Sequence, residues 1–138
     1  MWHTSSGKVV YDPYRGELKK KKHWWCVINI DREITRYYRW WIVSQLHVKG
    51  MCQPSWNAHI SVIRGEKPRQ DLMHLWKQHN NKYMEFRYSH IPYAVPDTEN
   101  GGFYWMIDVE CEEALQIRRD LHRPVNWKLH LTLGRTWF

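Results

Sequence analysis

No stretch of the chain is apolar for long enough to cross a membrane, and its first residues, MWHTSSGKVVYD, lack the apolar core of a secretory signal. Cysteine is scarce. Cys26, Cys52 and Cys111 are odd in number, far apart and without a C-x-x-C pair, which argues against a disulfide framework or a zinc knuckle. Free thiols point to a reducing cytosol, and three small buried hydrophobes are an equally good reading of them. Carboxylates are outnumbered, 14 Asp+Glu against 21 Lys+Arg, and no cluster of them stands out as a metal site. Aromatic residues, by contrast, are abundant: ten Trp, eight Tyr and three Phe in 138 residues. With 43% hydrophobic residues spread throughout, the composition excludes disorder. The length suits one domain, 1–138, that buries its core without staples. A net charge of +7 implies an anionic partner, most simply nucleic acid or a nucleotide.

Residues 1–23 read as an N-terminal arm, with a short strand at Lys8–Tyr11, a turn at Asp12–Gly16 and a basic run at Lys19–Lys22. Trp24–Ile30 is apolar enough for a strand buried on both faces. Asp31 can cap a following helix, in which Ile34, Tyr38, Trp41, Ile42 and Leu46 recur on one face and Arg32, Arg36 and Arg39 on the other. Ala58–Ile63 reads as a strand, and a second helix is expected from Pro68, with Leu72, Leu75, Trp76 and His79 inward. Alternation predicts strands at Tyr83–Tyr88 and Phe103–Val109, with a long loop over 89–102 between them. A third helix places Ala114, Ile117 and Leu121 inward, with Glu110, Glu112 and Glu113 near its start and Arg118 and Arg119 near its end, as the helix dipole favours. Trp127–Leu133 is the last predicted strand. Strand–helix–strand thus occurs twice, over 24–63 and 103–133, which points to an α+β or α/β domain of two similar lobes.

The chemistry lies in a repeat. Trp56-Asn57-Ala58-His59-Ile60-Ser61-Val62-Ile63-Arg64 and Trp127-Lys128-Leu129-His130-Leu131-Thr132-Leu133-Gly134-Arg135 share one ungapped frame: Trp, an apolar residue before His, a hydroxyl residue two after it, and Arg. A third H-x-[S/T] triplet, His3-Thr4-Ser5, lacks flanking apolar alternation and is accidental. On a strand, His59 and Ser61 point one way and Ala58, Ile60 and Val62 the other; the same holds for His130 and Thr132 against Leu129, Leu131 and Leu133. The apolar rows go to the core, and the polar rows face a shared cleft. Two imidazoles suit phosphodiester chemistry, one neutral to accept a proton and one charged to donate it. Ser61 and Thr132 would hold phosphoryl oxygens. No metal or other cofactor is required.

The paired His59-Ile60-Ser61 and His130-Leu131-Thr132 resemble the two H-x-[S/T] motifs of the 2H phosphoesterase (LigT-like) superfamily, and the Leu131–Arg135 tail is similar to that family's second motif. The resemblance spans residues 24–135. It implies an α+β bilobal fold: two pseudo-symmetric lobes, each with a small antiparallel sheet and helices, and an active-site cleft between them. It also implies a metal-independent hydrolase acting on phosphodiesters, with His59, Ser61, His130 and Thr132 catalytic. Substrates of the family include RNA 2',3'-cyclic phosphates, 2'–5' linkages, RNA 3' ends and cyclic oligonucleotides. The compact size, the many tryptophans, and the stretches Tyr11–Gly16 and Ile63–Glu66 look like small phage-encoded members. Some of those degrade the cyclic oligonucleotide signals of bacterial defence. The expectation is therefore a cytoplasmic monomer, in the host cytoplasm if phage-encoded, acting on a cyclic oligonucleotide or short RNA. RNA end processing and a non-catalytic RNA-binding module are the rival readings.

Around the motif, Arg64 and Arg135 are candidate phosphate clamps. Their odd spacing from the histidine puts them on the core side unless the strand ends or twists first. Trp56 and Trp127 read as packing residues. Tyr11, Tyr14 and Trp105 are candidates for stacking on a base.

Overall fold

The computed structural model describes residues 1–14, 23–54 and 56–137. Seven strands and two α-helices follow one another as β1 (Trp2–Tyr11), β2 (Trp25–Asn29), α1 (Arg32–Gln45), β3 (His59–Arg64), β4 (Tyr83–Ser89), β5 (Tyr93–Pro96), β6 (Phe103–Glu110), α2 (Glu112–Asp120) and β7 (His130–Thr136). All pairings are antiparallel, in the order β4-β1-β2-β3-β7-β6-β5, and β4 also pairs with β6. Six strands thereby close into a barrel, with β5 added beside β6.

This closure overturns the bilobal α+β expectation. Two lobes with separate small sheets would leave edges on either side of a cleft. Here those edges are paired instead. β3 meets β7 at Ile60–Leu131, and β4 meets β6 at Arg87–Glu110 and Tyr88–Val109. The expected arm supplies the missing link. Trp2–Tyr11 is a full strand between β2 and β4, paired along its length from Trp2–Ser89 to Lys8–Tyr83. Its first half carries too little apolar alternation to be read as a strand because it lies at the surface. At Gly7 the β1 backbone passes so close to β2 that a Cβ would press on the Asn29 carbonyl and the Ile28 side chain.

One hydrophobic core serves the whole ring. Each of the six strands contributes alternate residues to it: Val9 and Tyr11, Cys26 and Ile28, Ile60 and Val62, Met84 and Phe86, Ile107 and Val109, Leu131 and Leu133. Tyr38 and Ile42 of α1, Ala114 and Ile117 of α2 and Leu121 just after α2 join the same core. The helices exchange partners: α1, which precedes β3, packs on β7, while α2, which precedes β7, packs on β3. The repeat therefore survives as an approximate two-fold about the β3–β7 seam, within one core rather than two. Asp31 caps α1 as expected, accepting from the Glu33 amide. The expected second helix shrinks to a 3-10 turn, Gln70–Leu75, with no buried residue. The long loop hides β5. The basic run Lys19–Lys22 lies outside the described residues. Among the described residues no helix is long and apolar enough to cross a membrane.

Arg118, on α2, is a charged side chain buried almost completely, with 1% of the residue exposed. It donates to the Val62 carbonyl at 2.8 Å, the Pro124 carbonyl at 2.7 Å and both Glu66 carboxylate oxygens at 3.0 and 3.2 Å, and lies 4.4 Å over the Trp127 ring. Removing one partner of such a group leaves the others unsatisfied in low dielectric. Arg118→Leu is expected to cost about 3–5 kcal/mol in a urea melt, with Glu66→Leu in the same background recovering part of the loss.

Candidate functional site

The two motif strands lie side by side. Ile60 pairs with Leu131, and antiparallel order then sets Thr132 opposite His59 and His130 opposite Ser61. All four point away from the core, since Ile60, Val62, Leu131 and Leu133 point into it. His59 and His130 are thus diagonal neighbours on one face of the sheet, and such neighbours on an antiparallel pair are about 7–8 Å apart.

Both strands break their alternation at the same place. The ladder shifts between Cys26–Ile63 and Val27–Ser61, which leaves Val62 as an extra residue. It shifts likewise between Trp105–Gly134 and Met106–Thr132, leaving Leu133. Each bulge follows its motif hydroxyl residue by one position, and each reverses the parity beyond it. Arg64 therefore shares the face of Ser61, paired with Trp25, and Arg135 shares the face of Thr132, paired with Tyr104. The core-side placement expected from spacing alone is corrected by these bulges. The arginines then diverge. Arg64 is exposed, and its charge reaches His130. Arg135 is consumed by structure: it bonds Asp97 at 2.7 Å and the Gly101 carbonyl, with its guanidinium 4.5 Å from the Tyr104 ring and 3.8 Å from the Trp137 ring.

His59 Nδ1 bonds the Asn57 carbonyl at 2.6 Å, two residues upstream, and the backbone of Lys128, two residues before His130, acts to raise the pKa of that imidazole. A backbone bond at one ring nitrogen fixes the ring and its tautomer and directs the other nitrogen outward. The His59 ring lies 4.6 Å from Trp56 and 5.4 Å from Trp25, and Trp25 Nε1 donates to Ser61 Oγ at 3.3 Å. Beside His130 stands its register partner Asp108, which accepts from Tyr93 at 2.6 Å and pairs with Lys128 at 3.2 Å. Burial and the Asp108 carboxylate together push the Tyr93 hydroxyl up to about 12.

The expected stacking residues do not gather here. Tyr11 is a core residue, 4.8 Å from Trp76, with its hydroxyl pKa pushed up by burial. Trp105 packs on the core and donates to Thr136 at 3.0 Å. Tyr14 is exposed and outside any strand. Trp127 lies against Arg118, as packing predicts, whereas Trp56 lies on the motif histidine. Sequence reasoning missed Trp25, Asp108 and Asn29. Asp108 and Asn29 join the site as register partners of His130 and His59, and Trp25 by its bond to Ser61 and its contact with His59, which pairing reveals and spacing does not. Comparison with family models, curated proteins and solved structures finds no match to this chain.

Burial pushes the His130 imidazole below its ordinary value of 6.5; the charges of Arg64 and Lys128 act in the same direction, against the Lys128 backbone bond and Asp108. The unfolded chain thus takes up this proton at a higher pH than the folded one. The stability contributed by keeping His130 neutral is complete above about pH 6.5 and is lost as pH falls through that value toward the folded pKa. Denaturant melts at about pH 7.5 and about pH 5 are expected to show this acid loss, and His130→Gln should make it smaller.

Proposed function

We propose that the protein is a metal-independent phosphodiesterase in which His59, Ser61, His130 and Thr132 act on one phosphoryl group. The observation that carries this reading is the Ile60–Leu131 pairing, which brings both H-x-[S/T] motifs to adjacent strands with all four polar side chains on the face away from the core. Two histidines, each beside a hydroxyl residue of the other strand, supply an acid, a base and two anion contacts without further groups.

The surroundings divide the roles. Burial favours neutral His130, which suits it to take the proton from the attacking water or ribose hydroxyl. His59, packed on two indole rings that tolerate a cation, returns a proton to the leaving oxygen. Ser61 receives the Trp25 N–H on its oxygen, so its own hydroxyl hydrogen is directed elsewhere, toward a phosphoryl oxygen. Arg64, exposed on the same face, steers the anion inward. The substrate is a cyclic or short oligonucleotide, in keeping with a chain of net charge +7. Three free cysteines, two of them buried, accord with a reducing cytoplasmic setting.

His59→Ala and His130→Ala are each expected to lower kcat by about 10²–10⁴-fold, measured on cyclic dinucleotides, 2'–5' oligoadenylate and RNA ending in a 2',3'-cyclic phosphate. EDTA should leave the rate unchanged. A double variant as active as the parent on every substrate it cleaves would overturn the assignment. Preference for long RNA would favour end processing over a small signal molecule.

A further inference from the structure

Two clefts border the segments that lead into the two motif strands, and the internal repeat relates these segments. The first, of about 650 Å³, lies between the end of β2, the first turns of α1 and the segment before β3, and reaches Ala58, next to His59. The second, of about 500 Å³, lies between the end of β6, the start of α2 and the segment before β7, and reaches Leu129, next to His130. Equivalent elements contribute to both, with β4 added to the second, but their charges are opposite. The first holds Arg32, Arg36 and Arg39 against one acid, Glu33. The second holds Glu85, Glu110 and Glu112 against Arg87 and Lys128. Both cations of the second are taken: Arg87 bonds Glu110 at 2.5 Å and Lys128 bonds Asp108 at 3.2 Å.

The arginines of the first cleft follow one another at spacings of four and three, so they form one stripe on α1. Glu33 reaches Arg36 only at 3.4 Å on the exposed surface. Arg39 is tied to the Leu133 carbonyl at 3.0 Å, and its pKa is lowered by burial and by the charge of Arg36. Three guanidiniums so placed repel one another, and an anion between them relieves that cost. A second observation points to a ligand at the same place. Asn29, the register partner of His59, lines the cleft, and its buried Oδ1 has no hydrogen-bond partner among the described residues.

We propose that the cleft beside His59 is a second phosphate subsite, and that the substrate is an oligonucleotide bearing at least one phosphoryl group besides the one cleaved. The additional phosphate sits on Arg32 and Arg36. The nucleoside between the two phosphates lies toward Asn29 and Trp56, where Asn29 Oδ1 accepts from a base N–H or a sugar hydroxyl. The acidic cleft beside His130 repels the same group, so the substrate binds in one polarity. This inference rests on the phosphodiesterase reading for the bond that is cleaved, but not for the binding itself.

Isothermal titration with two probes tests it: the dinucleotide ApA with a phosphorothioate linkage, which slows cleavage, and the same compound with a terminal phosphate. The parent protein is expected to bind the phosphorylated probe about ten-fold or more tightly. R32A/R36A, which changes only exposed side chains, should abolish that preference and leave the affinity for the unphosphorylated probe unchanged. Arg36→Lys should keep part of it. Equal affinities in the parent protein, a preference that survives R32A/R36A, or no binding of either probe would overturn the proposal. Turnover of the unmodified dinucleotides separates the two readings. Phosphate-dependent binding without any turnover leaves the subsite standing and removes the phosphodiesterase; turnover indifferent to the second phosphate does the reverse.

Discussion

The contact between Ile60 and Leu131 is the constraint on which both the architecture and the site depend. It is the one registered pair that joins β3 to β7, and through it the two halves of the repeat become a single sheet. Both residues are fully buried, each burial contributing about 1.5–3 kcal/mol. That apolar drive holds two strands together where the ladder is short. The polar consequence lies on the other face. Because side chains alternate, fixing Ile60 against Leu131 also fixes His59 against Thr132 and Ser61 against His130. A slip of one residue would keep both motifs intact in sequence and destroy their arrangement in space.

Much of this was legible in the amino-acid text, for identifiable reasons. The 3.6-residue period of Ile34, Tyr38 and Ile42 after the Asp31 cap marks α1, and the alternation through Ile107 and Val109 marks β6, because burial on one face writes itself into sequence. The motif tetrad was legible because the same frame occurs twice. What could not be read were long-range pairings. Trp2–Tyr11 looks like an arm because its outer half is polar at the surface, yet as a strand it links β2 to β4 and turns two expected lobes into one ring. Strand parity failed at Arg64 and Arg135 for a related reason. A bulge is defined by the neighbouring strand, so nothing in Val62 or Leu133 themselves announces it. Tyr11 and Trp105 illustrate a third limit, since an aromatic residue that packs on the core and one that receives a base look alike in a sequence.

The two halves have kept their geometry and lost their chemical equivalence. The bulges and the crossing of the helices match across the seam. The groups around them do not. One histidine lies on indoles and the other beside a carboxylate. One terminal arginine is exposed and the other is locked to Asp97. The proposed phosphodiester reaction would use this inequality, because its two proton transfers run in opposite directions. A symmetric scaffold supplies the spacing, and departures from symmetry supply the direction.

Closing the sheet has a further effect, on how the molecule meets others of its kind. A strand edge offers unpaired amides and carbonyls to any passing strand, and an open pair of small sheets would offer several. Here β1, β2, β3 and β7 are flanked on both sides, and β4 and β6 complete the ring. The outer side of β5 is one edge that remains, and the first half of β4, before its short pairing with β6, is another. β5 is four residues long, ends at Pro96 and is followed by the tight Asp97–Gly102 turn. A proline there removes one of the few donors a docking strand could use. The ring that positions the histidines thus also leaves little template for edge-to-edge assembly into fibres, in a chain whose many aromatic residues would otherwise favour it.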